Sequence, residues 1–205
     1  MKALIIVDIQ NDFTSGGALE VPDGNAIIPV VNALQSSFDL VVATQDWHPE
    51  THKSFASQHS GKNQFEKIDL DGLEQVLWPD HCVQGTRGAE FHPDLNMNKV
   101  EAIFRKGMDS NIDSYSGFYD NGHRKNTGLA GYLHAREVTE VYVCGLAGDY
   151  CVFFTALDAI GEGFTTYIIE DATRSISAEG FENASKTFRG KGGILIASGR
   201  LAFRE

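Results

Sequence analysis

In the stretch Val141-Tyr-Val-Cys-Gly-Leu-Ala-Gly-Asp-Tyr-Cys-Val152 an apolar β-type run stops at a glycine-rich corner, and Cys151 falls where a helix should begin. The unpaired N–H groups and positive dipole end of a helix start favour thiolate over thiol, and the same amides can hold an oxyanion. Cys151 is therefore a candidate nucleophile, although a cysteine at a strand–helix junction also serves as a small core hydrophobe. Two more apolar runs end on residues that would complete a nucleophilic set. Run 3–7 leads into Asp8, a candidate base, and run 100–104 leads into Arg105-Lys106-Gly107, with Lys106 a candidate charge partner. Singly, Asp8 fits a turn cap and Lys106 a solvated surface lysine.

A second group contains metal-ligating types. The run 40–43 ends in Thr44-Gln-Asp46-Trp-His48, and His81 comes from Trp78-Pro-Asp-His-Cys82. One carboxylate and two imidazoles would leave open positions on a divalent ion, as catalytic or substrate-binding sites require. The plainer alternative is that Asp46 caps a turn while the histidines bond locally. His52, Ser54 and Asp80 are nearby alternatives or supporting groups. Cys82 adjoins His81 too closely for both to ligate one ion, and His59, His92, His123 and His134 have no evident partner.

These residues converge only if the elements before them share an edge. Short β-branched runs at 3–7, 40–43, 100–104, 138–144, 166–169 and 194–197 alternate with stretches of helical spacing at 25–37, 128–135, 150–161 and 178–189. Ser177 with Glu179 reads as a helix start and 190–193 as its stop. Alternation of this kind predicts a mostly parallel sheet of about six strands in a three-layer α/β/α sandwich. In such a sheet the carboxyl ends of the strands share one edge, where ligands bind. Asp8, Asp46, Lys106 and Cys151 would meet there, beside a long functional loop at 46–93. A single domain over 1–205 is expected.

The net charge of −11 and the lack of any Lys/Arg-rich block disfavour nucleic acid and anionic membranes as partners and favour a small neutral substrate. Three cysteines make no disulfide framework, and the first apolar run is too short for a signal or a membrane span. A cytoplasmic chain with reduced thiols is expected.

Asp8-Ile-Gln-Asn-Asp-Phe13, Gln45-Asp-Trp-His-Pro49, Trp78-Pro-Asp-His-Cys-Val83, Lys106-Gly107 and Gly145-Leu-Ala-Gly-Asp-Tyr-Cys-Val152 together resemble the nicotinamidase/pyrazinamidase family of isochorismatase-like cysteine hydrolases. The resemblance runs from residue 3 to about 197, and the Asp-Trp-His and Trp-Pro-x-His-Cys motifs are its specific part. It implies an Asp8–Lys106–Cys151 triad and a divalent metal, zinc first with iron or manganese as alternatives, on Asp46, His48 and His81. It also implies an oxyanion hole from the Ala147 and Cys151 amides after a cis Leu146–Ala147 peptide. Phe13 and Trp78 match aromatic walls around a pyridine ring, and Tyr115 and Tyr150 match further pocket positions. Gly148 departs from the family pattern, which has threonine there.

The implied reaction is hydrolysis of nicotinamide to nicotinate and ammonia in NAD salvage, with pyrazinamide as a second substrate. Lys106 is expected to hold the Asp8 pKa down. Two alternatives stand beside it: a metal-independent amidohydrolase for carbamoyl or ureido substrates, and a non-catalytic module that binds nicotinamide or metal. Oligomeric state stays open, a homo-oligomer included.

Overall fold

The computed structural model describes residues 1–201, so the last four residues of the expected 1–205 domain lie outside the described residues. The strands are β1 (Lys2–Val7), β2 (Leu40–Asp46), β3 (Lys67–Leu70), β4 (Leu73–Val76), β5 (Ala102–Lys106), β6 (Glu140–Gly145), β7 (Thr165–Thr173) and β8 (Ile194–Ile196). The α-helices are α1 (Ile28–Leu34), α2 (Leu129–Ala135), α3 (Cys151–Gly161) and α4 (Ala178–Gly190). Six strands form one sheet in the order β5-β2-β1-β6-β7-β8, every neighbouring pair parallel.

The alternation of β1 divides the core in two. Leu4 and Ile6 face a cluster with Ile28, Val31 and Leu34 of α1. Ala3, Ile5 and Val7 face Leu129 and Leu133 of α2, Val152, Ala156 and Ala159 of α3, and Phe188 of α4. Both faces of β1 are covered, which is why its sequence is a continuous apolar run. The three-layer architecture is as expected. No helix among the described residues is long and apolar enough to cross a membrane.

Several boundaries move, for physical reasons. The strand expected at 40–43 continues through Asp46, and the one expected at 100–104 lies at Ala102–Lys106. Pairing of Val42 through Asp46 with Ala102 through Lys106 extends both strands over polar residues that an apolar pattern excludes. Only Ile28–Leu34 of the stretch 25–37 is α-helix, with 3₁₀ turns on either side. Pro29 sits in its first turn, a position that suits a residue without an N–H. Ser177 caps α4 by accepting from the Gly180 amide. The 46–93 loop holds an unforeseen hairpin of β3 and β4. Its Asp71-Gly72 turn has φ of +55° and +81°, and Asp-Gly between short strands is a hairpin signal that the sequence does carry.

Candidate active site

Topology brings the separate strand ends together. Asp8 directly follows β1 with φ of +49°, Cys151 opens α3 just beyond β6, and Asp46 of β2 pairs in register with Lys106 of β5. All four side chains are buried. Lys106 is the hub. Its Nζ donates to Asp46 Oδ1 at 3.0 Å, to the Ser114 carbonyl at 3.0 Å and to Cys151 Sγ at 3.4 Å. Those bonds use the three donors of an ammonium. Asp8 Oδ2 lies 2.9 Å from the same nitrogen as an ion pair, outside hydrogen-bond alignment. Thr44 Oγ1 donates to Asp8 Oδ1 at 2.6 Å. One Asp8 oxygen is thus engaged, and the other keeps a lone pair for a proton.

Burial pushes the Asp8 carboxyl up, and repulsion from Asp46 adds to it, against the lowering effect of Lys106. Lys106 does lower Asp8, as expected, but not enough to bring it to the ordinary aspartate value. The lysine divides its charge between two carboxylates, and the desolvation of a fully buried acid outweighs its share. Burial alone would lower Lys106, but Asp46 and Asp8 carry it well above the usual lysine value. Burial also drives the Cys151 thiol well above its ordinary range, with Lys106 opposing. A helix start does not by itself make this cysteine a thiolate, so it needs a base.

The second constellation adjoins the first. Asp46 Oδ2 lies 3.0 Å from His48 Nε2 and 3.4 Å from His81 Nε2. Each imidazole has its other nitrogen on a backbone carbonyl: His48 Nδ1 donates to Gly107 at 2.9 Å and His81 Nδ1 to Pro79 at 2.8 Å. A carbonyl only accepts, so both Nε2 atoms are left to bear lone pairs for a ligand. Separations of 3.0 and 3.4 Å are what two bonds of about 2.1 Å subtend at roughly 90–110°. The buried His48 Nε2 has no hydrogen-bond partner among the described residues. The residues present fit a divalent ion.

Neighbouring motif residues hold these ligands in place. Gln10 brackets the Asp46 backbone, donating to its carbonyl and accepting from its amide, both at 2.8 Å. Asp12 accepts from the Cys82 amide beside His81 at 2.7 Å. Gly107 has φ of +65°, and a Cβ there would lie 2.3 Å from the His48 ring. Only glycine leaves that imidazole its position.

A narrow pocket opens above both groups, lined by Phe13, Trp78, Tyr115, Tyr150, Ala147 and Cys151 together with Asp46 and His81. The four expected aromatic positions therefore do meet around one space. The Leu146–Ala147 peptide is cis, as the resemblance implies. The Ala147 carbonyl accepts from the amides of Tyr150 and Val152, each at 3.1 Å, and so passes over the amide of Cys151 between them. Gly148 also gains an account. A Cβ there would lie 2.8 Å from Thr173 and 2.9 Å from Phe181, so the aromatic ring of α4 stands where a threonine would need space.

Several members of the site lie outside the expected set. Thr44 shares a strand face with Asp46, a period-2 signal available in the sequence. Asp113, Leu19 and Ile176 also line the cavity, but they come from irregular segments whose path no pattern specifies.

The isochorismatase domain family matches residues 2–199. The chain is 51% identical over 178 residues to a nicotinamidase of Acinetobacter baylyi, covering 87% of this chain and 83% of the relative. Among solved structures it is similar to an Acinetobacter baumanii nicotinamidase/pyrazinamidase, with a TM-score of 0.96, 51% identity and 98% of each chain covered. It is also similar to a Pyrococcus horikoshii pyrazinamidase solved in complex with zinc, with a TM-score of 0.79 and 40% identity, covering 96% of this chain and 98% of that one.

Proposed function

We propose that this chain, which belongs to the isochorismatase-domain family and within it to the nicotinamidase/pyrazinamidase group, hydrolyses nicotinamide to nicotinate and ammonia. The observation that carries the reading is Lys106, whose ammonium joins the Cys151 thiol to the metal-ligand set through Asp46. A binding module has no use for a buried thiol in that position. A ureido hydrolase would not need the Asp46, His48 and His81 donors beside it. Pyrazinamide, a flat ring amide of the same shape, is assigned as a second substrate, in keeping with the activities named for the relatives.

Asp8 Oδ2 accepts the Cys151 proton while Lys106, hydrogen-bonded to Sγ, stabilises the thiolate that forms. Sγ attacks the carboxamide carbon. The amides of Ala147 and Cys151 receive the developing oxyanion, each such donor worth about 3 kcal/mol. The protonated Asp8 then gives its proton to the departing ammonia. It next takes a proton from the water that cleaves the thioester and releases the acid. Phe13, Trp78 and Tyr150 enclose the ring and exclude bulk water.

Asp46, His48 and His81 would hold one divalent ion, supplying a Lewis-acidic anchor for the ring nitrogen. Zinc is the assignment, supported by the donor set and by the zinc complex of the Pyrococcus relative. The three free cysteines, Cys82, Cys144 and Cys151, suit a reducing cytoplasm and a place in NAD salvage.

The test is ammonia release from nicotinamide, with and without a chelator, by the wild type and Cys151→Ala. Wild-type turnover should be lost on chelation, and Cys151→Ala should be inactive while retaining metal. Chelator-insensitive turnover of ureido compounds would favour the metal-independent amidohydrolase. Ligand binding without any turnover would leave only a binding module.

A further inference from the structure

His52 and Asp113 are buried beside the metal-ligand set, and no step above uses either. His52 Nδ1 lies 3.2 Å from the Ser54 amide, which donates to it, and 2.7 Å from Ser54 Oγ. An amide N–H can only donate, so Nδ1 must be the accepting nitrogen and the ring hydrogen sits on Nε2. This is the opposite wiring to His48 and His81, whose Nδ1 atoms face carbonyls.

His52 Nε2 is buried with no hydrogen-bond partner among the described residues. A ring nitrogen of His52, a ring nitrogen of His48 and an Asp113 carboxylate oxygen lie within 4.8 Å of one another. By donor type alone, His48, His52 and Asp113 could hold an ion, but a nitrogen that carries hydrogen cannot ligate. Asp113 lines the cavity together with Asp46 and His81. Its Oδ1 accepts from the Ser114 amide at 2.8 Å and its Oδ2 from Gln75 at 3.0 Å, which leaves each oxygen a further lone pair. A buried donor without a partner and an acceptor with lone pairs to spare thus stand close together next to the ligand set.

We infer that His52 and Asp113 are positioning residues for the metal centre, clamping an oxygen ligand of water class on the ion held by Asp46, His48 and His81, with His52 Nε2 donating to it and Asp113 accepting from it. Ser54 acts only through His52, whose tautomer it sets. Asp80 stands apart, exposed and accepting from Ser57 at 2.7 Å. The inference rests on the metal reading of the site and not on the identity of the substrate.

The test measures zinc affinity by competition with a chelator of known strength, zinc stoichiometry by elemental analysis, and the imidazole count at zinc by X-ray absorption. His52→Leu and Asp113→Asn should each weaken zinc binding about 10–100-fold, the usual effect of losing a group that orients a metal ligand. His52→Gln, which restores an N–H near the Nε2 position, should stay within a few-fold of wild type. The wild type should bind one zinc with two imidazoles. Three imidazoles, or a second zinc lost in His52→Leu, would make His52 a ligand and overturn the inference, as would wild-type affinity in both His52→Leu and Asp113→Asn. The imidazole count needs no variant, so a variant that fails to fold leaves the question decidable. A wild type that takes up no zinc overturns the ligand set itself, and this inference with it.

Discussion

At the scale of single residues, the site is a problem in where one proton resides. Cys151 is held as a thiol by burial, and Asp8 is an unusually weak acid for the same reason. Burial thus raises both groups, the thiol well above its ordinary value, so it does not by itself ease the transfer; the Lys106 hydrogen bond is what favours the thiolate side. The pH dependence follows with a definite sign. Below its pKa Asp8 is protonated and cannot take the thiol proton, so kcat/KM should rise with pH through that value. Because burial raises it, the acid limb should be centred above the ordinary aspartate value of 3.8. Asp8→Asn should lose about 10²–10⁴-fold in kcat/KM. The measurement is a pH profile with metal content and fold checked at each point. A limb centred at or below the ordinary aspartate value, or one that merely follows metal loss, would count against Asp8 as the base.

At the scale of elements, the nucleophile corner is shaped by what α4 places over it. A Cβ at position 148 would lie 2.9 Å from the Phe181 ring of that helix and 2.8 Å from the Thr173 methyl of β7. Gly148→Thr should therefore overpack the corner and cost about 1–3 kcal/mol of stability. Combining it with Phe181→Ala should recover at least about 0.5 kcal/mol relative to the sum of the single changes, because neighbours that compete for one space are not additive. Denaturant unfolding of the four proteins measures this, and strict additivity would remove Phe181 as the reason for glycine. The same scale decides how much of the site was legible in the sequence. Asp8, Lys106 and Cys151 could be grouped because parallel strands place their carboxyl ends on one edge whatever the register. The bond from Lys106 to Asp46 could not, since it depends on the pairing of Asp46 with Lys106 across β2 and β5. What looked like two constellations is one, joined by a register that no local pattern encodes. Asp113 and Ser114 escaped for a related reason: their positions follow from the path of an irregular segment fixed by bonds such as those to Gln75 and Lys106. His52 was visible as a nearby histidine, but its wiring against ligation rests on a hydrogen bond to the Ser54 amide.

At the scale of the whole molecule, the net charge of −11 acts differently on the two ends of the proposed reaction. Nicotinamide is neutral, so the surrounding field neither steers nor repels it, whereas nicotinate approaches or leaves as an anion. Repulsion of the product acts over distances that salt screens, with a Debye length of about 30 Å at 0.01 M and about 8 Å at 0.15 M. Raising the ionic strength across that range should leave kcat/KM for nicotinamide nearly constant while strengthening inhibition by added nicotinate about twofold, the change expected when a repulsion of order kT is screened. Initial-rate measurements at fixed pH, with the inhibition constant for nicotinate determined at each salt concentration, give both numbers. If inhibition weakened with salt instead, the product would be sensing attraction from Lys106 and the bound ion more than repulsion from the acidic surface. The field that matters would then be that of the site, and the excess of 28 acidic over 17 basic residues would have no part in product release.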